Sequence, residues 1–587
     1  MAVGAFCLVL HGHLPWVLHH GRWPHGEEWL YEAAARTWLP LLGVLERLAA
    51  DGIAPGWTLG MTPVLLEQLD HERFRDGFER YLLDRADRAR HDAAEFAGRG
   101  DAHLTWLATE HAGHHEEMLT QFRAINRSIP AAMAAQPGVE LLSSNATHGF
   151  HPLLLHDESA RAQLRTGFAV SERHLGRRPS GMWLPECAYR PAGPWRPAAV
   201  HGDVRERAGV AQLAEAVGCR YLFVDTHLVE RSVPVARLVD GELVDPDAWD
   251  RKHGWNSVCE PVRVAEAGAL TELTVLARCP DVSEQVWSGV IGYPGDGRYR
   301  EFHKVHGMRG LHYWRVTRPK SGLEEKEPYH PDAAARAAEE HAAHFVSLLH
   351  RRLYRHHEAT GRYGVVCAPF DAELFGHWWF EGPLFLEAVA RRLHADPHVR
   401  PSTVGAFLAE HPADKIAALP EGTWGAGGDD RVWLNDELRF YWEIAYRAED
   451  RFLDLWHRVH WRKEGGPGTR AAHWRRRGSS SCSSPATGRS SSSTRGAVDY
   501  GLRRILDHAA RFDDLCNGVE DCRSGAPALT RLCLRPLQRS PPRSTRCSPT
   551  WTSRGGAEMP DADDSDPTTR RLERALGGPR PPARSRW

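Results

Sequence analysis

The chain has 587 residues, with 74 Lys and Arg against 76 Asp and Glu, a formal net charge of -2 and a pI near 7.1. That balance excludes the basic field of a nucleic-acid binder and the acidic tail that would recruit a basic partner, and it points to an uncharged substrate. No stretch of about eighteen consecutive apolar residues exists, which argues against a spanning helix and a membrane partner.

The first residues, MAVGAFCLVLHGHLPW, have neither a basic leader nor a cleavage site, so a cytoplasmic protein is expected. Eleven cysteines without a CxxC pair argue against a disulfide framework or a zinc ribbon. From here the first two-thirds of the chain repeats one grammar, in which a short apolar run leads into polar residues and then into a helical pattern. Residues 5–10 lead into His11, His13 and Trp16, and 57–61 into Thr62 and Pro63. Residues 139–142 lead into Ser144, Asn145 and His148, and 182–184 into Pro185, Glu186 and Tyr189. Residues 221–224 lead into Asp225 and His227, and 273–277 into Arg278 and Asp281. The seventh run, from Val365, leads into Asp371, Glu373, His377, Trp378 and Trp379, where carboxyl groups stand beside aromatic faces suited to sugar rings.

Seven strands that each carry reactive side chains at the carboxyl end fit a parallel α/β barrel, in which such residues converge on one rim. An open doubly wound sheet would bring a glycine-rich phosphate loop, and none opens a helix here. Residues 1–188 and 219–382 are therefore assigned to the barrel, with 189–218 as an inserted subdomain. Helical patterns are expected at 26–50, 71–95 and 331–360, the last opening on a proline suited to a first turn. After Gly382 the pattern is helical throughout, at 383–395, 402–411, 436–457 and 498–514, so 383–521 is read as a helical C-terminal domain. Its loop 419–434 holds Trp424 and Trp433 among glycines, which would suit either a sugar platform or a turn over a core indole.

This domain is interrupted at 465–495, where WRRRGSSSCSSPATGRSSSSTR carries no periodicity, and 522–587 is similar in character. Both segments read as out-of-frame translation or as disorder, since such text cannot bury enough surface to fold.

Three chemistries fit these residues. Glu186 and Asp371 could be the carboxyl pair of glycosidic-bond chemistry. His11, His13, His148, Asp225 and Asp371 could instead hold a divalent metal for deacetylation or hydrolysis. A tryptophan-rich cleft could also bind glucan without turnover.

The segments HGHLPW (11–16), SSNATHGFHP (143–152), WLPECAY (183–189) and APFDAELFGHWW (368–379) resemble the motifs of glycoside hydrolase family 57. SEQVWS (283–288), GYPGD with YREFH (292–303) and AVDYGLRRILDHAARFDDL (497–515) resemble more narrowly its 1,4-α-glucan branching enzymes. The resemblance implies an incomplete (β/α)7 barrel with a small insert domain and an all-helical C-terminal domain. It makes Glu186 the nucleophile and Asp371 the acid and base of a retaining transfer from an α-1,4-glucan donor to an α-glucan acceptor, without metal or organic cofactor. It implies substrate contacts at Arg278, Gly295 and Trp424, a sugar subsite lined by His11, His13 and His148, and platform candidates Trp287 and Trp433. An α-glucan hydrolase or 4-α-glucanotransferase of the same family is the alternative. One departure stands out: Arg495 and Gly496 occupy the place of a glutamine expected just before the last motif, and the serine-rich tract replaces a helix with an Asp-containing turn. Both implied glucan contacts are missing, so weakened acceptor binding is expected.

Overall fold

Each of the seven runs forms a strand, here β1 (Gly4–Gly12), β2 (Trp57–Met61), β3 (Val139–Ser144), β4 (Gly181–Trp183), β5 (Tyr221–Val224), β6 (Ala269–Ala277) and β7 (Gly364–Asp371). The computed structural model describes residues 2–22, 26–200, 202–245, 255–288, 291–307, 310–318, 320–460 and 495–523. All of these belong to one unit, Met1–Cys533. The serine-rich tract at 465–494 and the segment from 524 onward lie outside the described residues.

The strands pair in parallel in the order β7, β1, β2, β3, β4, β5, β6. Side chains alternate between the two faces of a strand. Ala5, Cys7 and Val9 of β1 share one inner cluster with Leu142, Trp183, Tyr221, Phe223, Leu276, Val365 and Cys367. Their neighbours Phe6, Leu8, Leu10, Val366, Ala368 and Phe370 turn outward into the helical layer. Continuing the same alternation brings His11, Asp225 and Asp371 to the inner face at the carboxyl end, with His11 directly opposite Asp371 in the β1–β7 register.

The ring is open between β6 and β7. The free edge of β6 pairs antiparallel with Val262–Glu266, which continues through Lys415–Ala418 into Val233–Val239 and Glu242–Val244. Only two backbone bonds recorded among the described residues cross the gap: Val365 N–H donates to Cys259 O at 2.8 Å and Cys279 N–H to Cys367 O at 2.9 Å. This antiparallel arm was not expected, because its strands are short and interrupted by charge, and two of them, Val233–Val239 and Glu242–Val244, are largely exposed. Beside the seam, Lys415 and Glu260 are both buried and meet at 3.0 Å.

The helix Pro331–Thr360 has the expected bounds, and Gly361 at φ 70° closes it in the left-handed conformation that glycine adopts freely. In the stretch 189–218 a hairpin pairs Gly193–Trp195 with Arg205–Arg207, followed by the short helix Val210–Glu215. Within 383–521 the helices Gly382–His394, Val404–Glu410, Arg439–His460 and Arg495–Arg523 form, but two strands interrupt them. Val399–Pro401 pairs with β1, and Lys415–Ala418 joins the arm. The last two helices pack through Phe452, Leu453, Leu455, Phe512 and Cys516. They are tied to the rim: buried Glu449 accepts from Leu155 N–H at 3.0 Å and His156 N–H at 3.2 Å, and the Arg504 guanidinium donates to Trp16 O. Among the described residues no helix is long and apolar enough to cross a membrane.

Candidate active site

Glu186 sits in the tight turn Pro185–Cys187 that leaves β4, at φ 59° and ψ 19°. A non-glycine residue held there stores ~1–3 kcal/mol of strain, which the surroundings must impose. Trp424 imposes part of it, donating from Nε1 to Glu186 Oε2 at 2.9 Å and from its backbone N–H to Glu186 O at 3.1 Å. His148, itself at φ 57°, brings Nδ1 to 3.8 Å from Glu186 Oε1.

Burial pushes the Glu186 carboxyl up from 4.5 to about 7, against the pull of the Trp424 bond. Asp371, at the end of β7, is pushed up from 3.8 to about 7, first by burial and then by the charge of Glu186. Glu373 is also raised well above the usual carboxylate range, by burial and then by the charge of Asp371, while accepting a long 3.4 Å bond from His13 N–H. Three carboxyl groups thus share one poorly solvated space, and they cannot all ionise near neutral pH.

This burial has a stability consequence with a definite sign. A carboxyl whose folded value is raised supports the fold fully below its unfolded value and loses that support as pH rises through about 7. The Glu186→Gln/Asp371→Asn double variant should therefore melt higher than the parent at pH 8.5, by up to about 3 kcal/mol per site, and close to it at pH 4. Thermal unfolding at the two pH values reads this; an equal gain at both would contradict it.

The three histidines form one packed group. His11 Nε2 lies 2.8 Å from His148 Nε2, the His13 ring stacks on His148 at 3.9 Å, and His11 stacks on Trp183 at 4.6 Å. Burial pushes all three toward the neutral form, His13 to about 3. Several buried polar atoms here have no protein partner among the described residues: His11 Nδ1, His148 Nδ1, Asn145 Oδ1, Trp183 Nε1 and Glu373 Oε1. Such mixed donors and acceptors suit a polyhydroxyl ligand. They do not present a metal-ligand set, because the rings are stacked and bonded to each other. The converging His and carboxylate atoms found among the described residues lie elsewhere, at Asp92, Glu95 and His306.

Arg278 is oriented rather than free: its Nε donates to Asp225 Oδ1 at 2.7 Å, and Asp225 Oδ2 meets His227 Nδ1 at 3.1 Å. The guanidinium lies 5.9 Å from the Trp424 ring, and Trp287, 38% exposed, stands edge-on to Trp424 at 6.4 Å. Trp433 differs from the expected platform. It is 4% exposed and packs on Phe150 at 4.7 Å, and a Cβ on Gly425 would come within 2.6 Å of it, so it supports the Trp424 loop from behind. Gly295 lies in the turn Tyr293–Gly295 with open space at its Cα and is not brought to the carboxyl groups by any contact among the described residues. The reading of the residues missed Trp183 as the wall beneath His11 and His227 as the link to the loop. The two-residue alternation along β4 points to Trp183, whereas His227 lies in the helix Thr226–Glu230 and reaches Gly428 O at 3.2 Å, a contact that no local pattern signals.

A family model for glycosyl hydrolase family 57 matches residues 7–420. A 1,4-alpha-glucan branching enzyme of Thermococcus kodakarensis is 40% identical over 465 residues, which cover 78% of this chain and 66% of that protein. The chain thus spans just under two-thirds of that relative's length. The crystal structure of a family 57 branching enzyme from Pyrococcus horikoshii superposes with a TM-score of 0.77 at 33% identity, covering 90% of this chain and 94% of that one. The structure of the α-amylase AmyC of Thermotoga maritima superposes with a TM-score of 0.71 at 25% identity, covering 90% and 96%. The matched region runs from within β1 through β7 and includes Glu186 and Asp371, and on that extent the chain belongs to glycosyl hydrolase family 57.

Proposed function

We propose that this chain is a retaining 1,4-α-glucan branching enzyme, and the observation that carries the reading is the Glu186 and Asp371 pair. Both are raised to about 7, and the charge of one acts on the other. Near pH 7 repulsion between the two carboxyl groups therefore opposes ionisation of both at once. The Trp424 bond favours charge on Glu186, and that charge keeps the proton on Asp371. This is the state in which one carboxyl group can attack and the other protonate the leaving oxygen.

Glu186 then attacks the anomeric carbon as Asp371 gives its proton to the departing O4, and the C1–O4 bond is replaced by a glycosyl ester. Asp371, now ionised, takes the proton of an acceptor 6-hydroxyl, whose oxygen attacks C1 and releases Glu186. The product is an α-1,6 link with configuration retained. The neutral histidines and the Asp225-oriented Arg278 bind hydroxyl groups of the cleaved sugar, while Trp424 fixes the nucleophile. The barrel carries the chemistry, and the helices within 383–460 and 495–523 brace its rim.

Transfer requires that a second glucan reach the ester before water does. One sequence observation favours a second reading, an enzyme that cleaves but branches poorly: the implied acceptor contacts before Ala497 are replaced by the serine-rich tract. Incubation with amylose, followed by debranching and chain-length analysis, separates the two. New α-1,6 links support branching, reducing ends alone support hydrolysis, and neither product would overturn both.

A further inference from the structure

The motif after β7 contains two adjacent indoles, and the fold treats them oppositely. Trp379 is 2% exposed and belongs to the core, whereas Trp378 is 48% exposed. Half-exposing a large ring is ordinary on a mobile surface loop, but this loop is pinned. Gly376 has φ 117°, and a Cβ there would fall 1.7 Å from Arg36 O, so only glycine allows the turn to close on the helix beneath. His377 N–H donates to Thr37 Oγ1 at 3.2 Å, Gly376 N–H to Trp379 O at 2.7 Å, and Trp378 N–H to Glu373 O at 3.1 Å. The indole is backed on one face by Phe302 at 4.7 Å and 29°, and Phe302 is backed in turn by His312 at 6.4 Å and 27°. A rigid aromatic ring with one supported face and one open face is preorganised for stacking.

Its position selects the ligand. Trp378 hangs from Glu373, whose carboxyl group feels the charge of Asp371 two residues before it, whereas Trp424 holds Glu186. If Asp371 handles O4 of the departing chain and the hydroxyl of the incoming one, its side of the cleft is where the acceptor lies. We propose that Trp378 is a stacking platform for a glucose ring of the acceptor glucan. This rests on the reading of Glu186 and Asp371 given above, and it supplies an acceptor contact that does not depend on the serine-rich tract.

An α-maltosyl fluoride donor tests it, because fluoride departs without needing a sugar on the acceptor side. The C–F bond breaks as the Glu186 ester forms; an added malto-oligosaccharide then breaks the ester through its hydroxyl oxygen, and Asp371 takes the proton. With Trp378→Ala, the ratio of transfer to fluoride release should fall roughly three- to tenfold, with a matching rise in the acceptor concentration for half-maximal transfer. Trp378→Phe should recover most of it. An unchanged ratio, or a loss of transfer and fluoride release in equal proportion, would overturn the proposal. Titration of maltoheptaose into Glu186→Gln and Glu186→Gln/Trp378→Ala keeps the outcomes separate. If the parent releases no fluoride, the proposed activity fails, and equal affinity of these two proteins would then show that Trp378 is no platform.

Discussion

Asp371→Asn is expected to lower cleavage of amylose by roughly 10³–10⁴-fold, while release of fluoride from α-maltosyl fluoride falls by far less, within about tenfold. The difference isolates the proton. A glucan oxygen must be protonated to leave, and burial raises the Asp371 carboxyl to about 7, so that a substantial fraction keeps its proton at neutral pH. Fluoride leaves without one. Glu186→Gln removes the attacking atom and should depress both reactions by roughly 10⁴-fold or more, because no ester can form. Steady-state rates on the two donors make the comparison. Equal losses on both donors for Asp371→Asn would mean that it positions substrate and does not transfer the proton. The pH profile supplies a further check. Activity should peak between the two ionisations of the pair, near neutral, and Asp371→Asn should flatten the alkaline limb seen with amylose when fluoride release is followed instead.

The second large effect concerns the seam. Glu260 and Lys415 lie 3.0 Å apart at 3% and 2% side-chain exposure, with His356 at 3.4 Å and Arg362 at 3.6 Å from the same carboxyl group. Burial raises the Glu260 carboxyl, and the Lys415 ammonium opposes that rise. Removing the ammonium leaves an acid with too little solvation, so Lys415→Met should destabilise the chain by about 3–5 kcal/mol. Adding Glu260→Leu should recover much of the loss, since a hydrophobic pair of similar size has no charge to solvate. Urea unfolding at pH 7 measures both. A single variant within about 0.5 kcal/mol of the parent would mean that water or the neighbouring cations already compensate Glu260.

The barrel and the polar residues gathered at its rim were legible because alternation and strand ends carry them, whereas the choice among three chemistries came from the family resemblance. Val9 then His11, Phe223 then Asp225 and Cys367 then Asp371 keep an even spacing, so inward apolar positions continue as inward polar ones where the strands end. Long-range pairing was not legible. Nothing local in Val262–Glu266 or Lys415–Ala418 says that these strands pair with one another across more than a hundred and fifty residues, and they fill the gap only because β6 and β7 leave it open. The same limit applies to single indoles. Trp378, Trp379 and Trp433 all carry the same local preference, and whether each faces solvent or core is decided by Phe302, by the outward layer behind β7 and by Phe150.

That open edge also bears on how a polymer reaches the carboxyl groups. The interior of the ring is filled by the inner cluster, so a glucan meets the carboxyl groups across the rim and is not threaded through the ring. Across the gap one backbone bond joins Cys279, next to Arg278, to Cys367 of β7, and another joins Val365 of β7 to Cys259 at the foot of the arm, each with a net worth of ~1 kcal/mol. The rest of the fastening is side-chain packing and the buried group of Glu260, Lys415, His356 and Arg362, so the width of the rim at the gap is set by side chains that single substitutions can change without cutting a ladder.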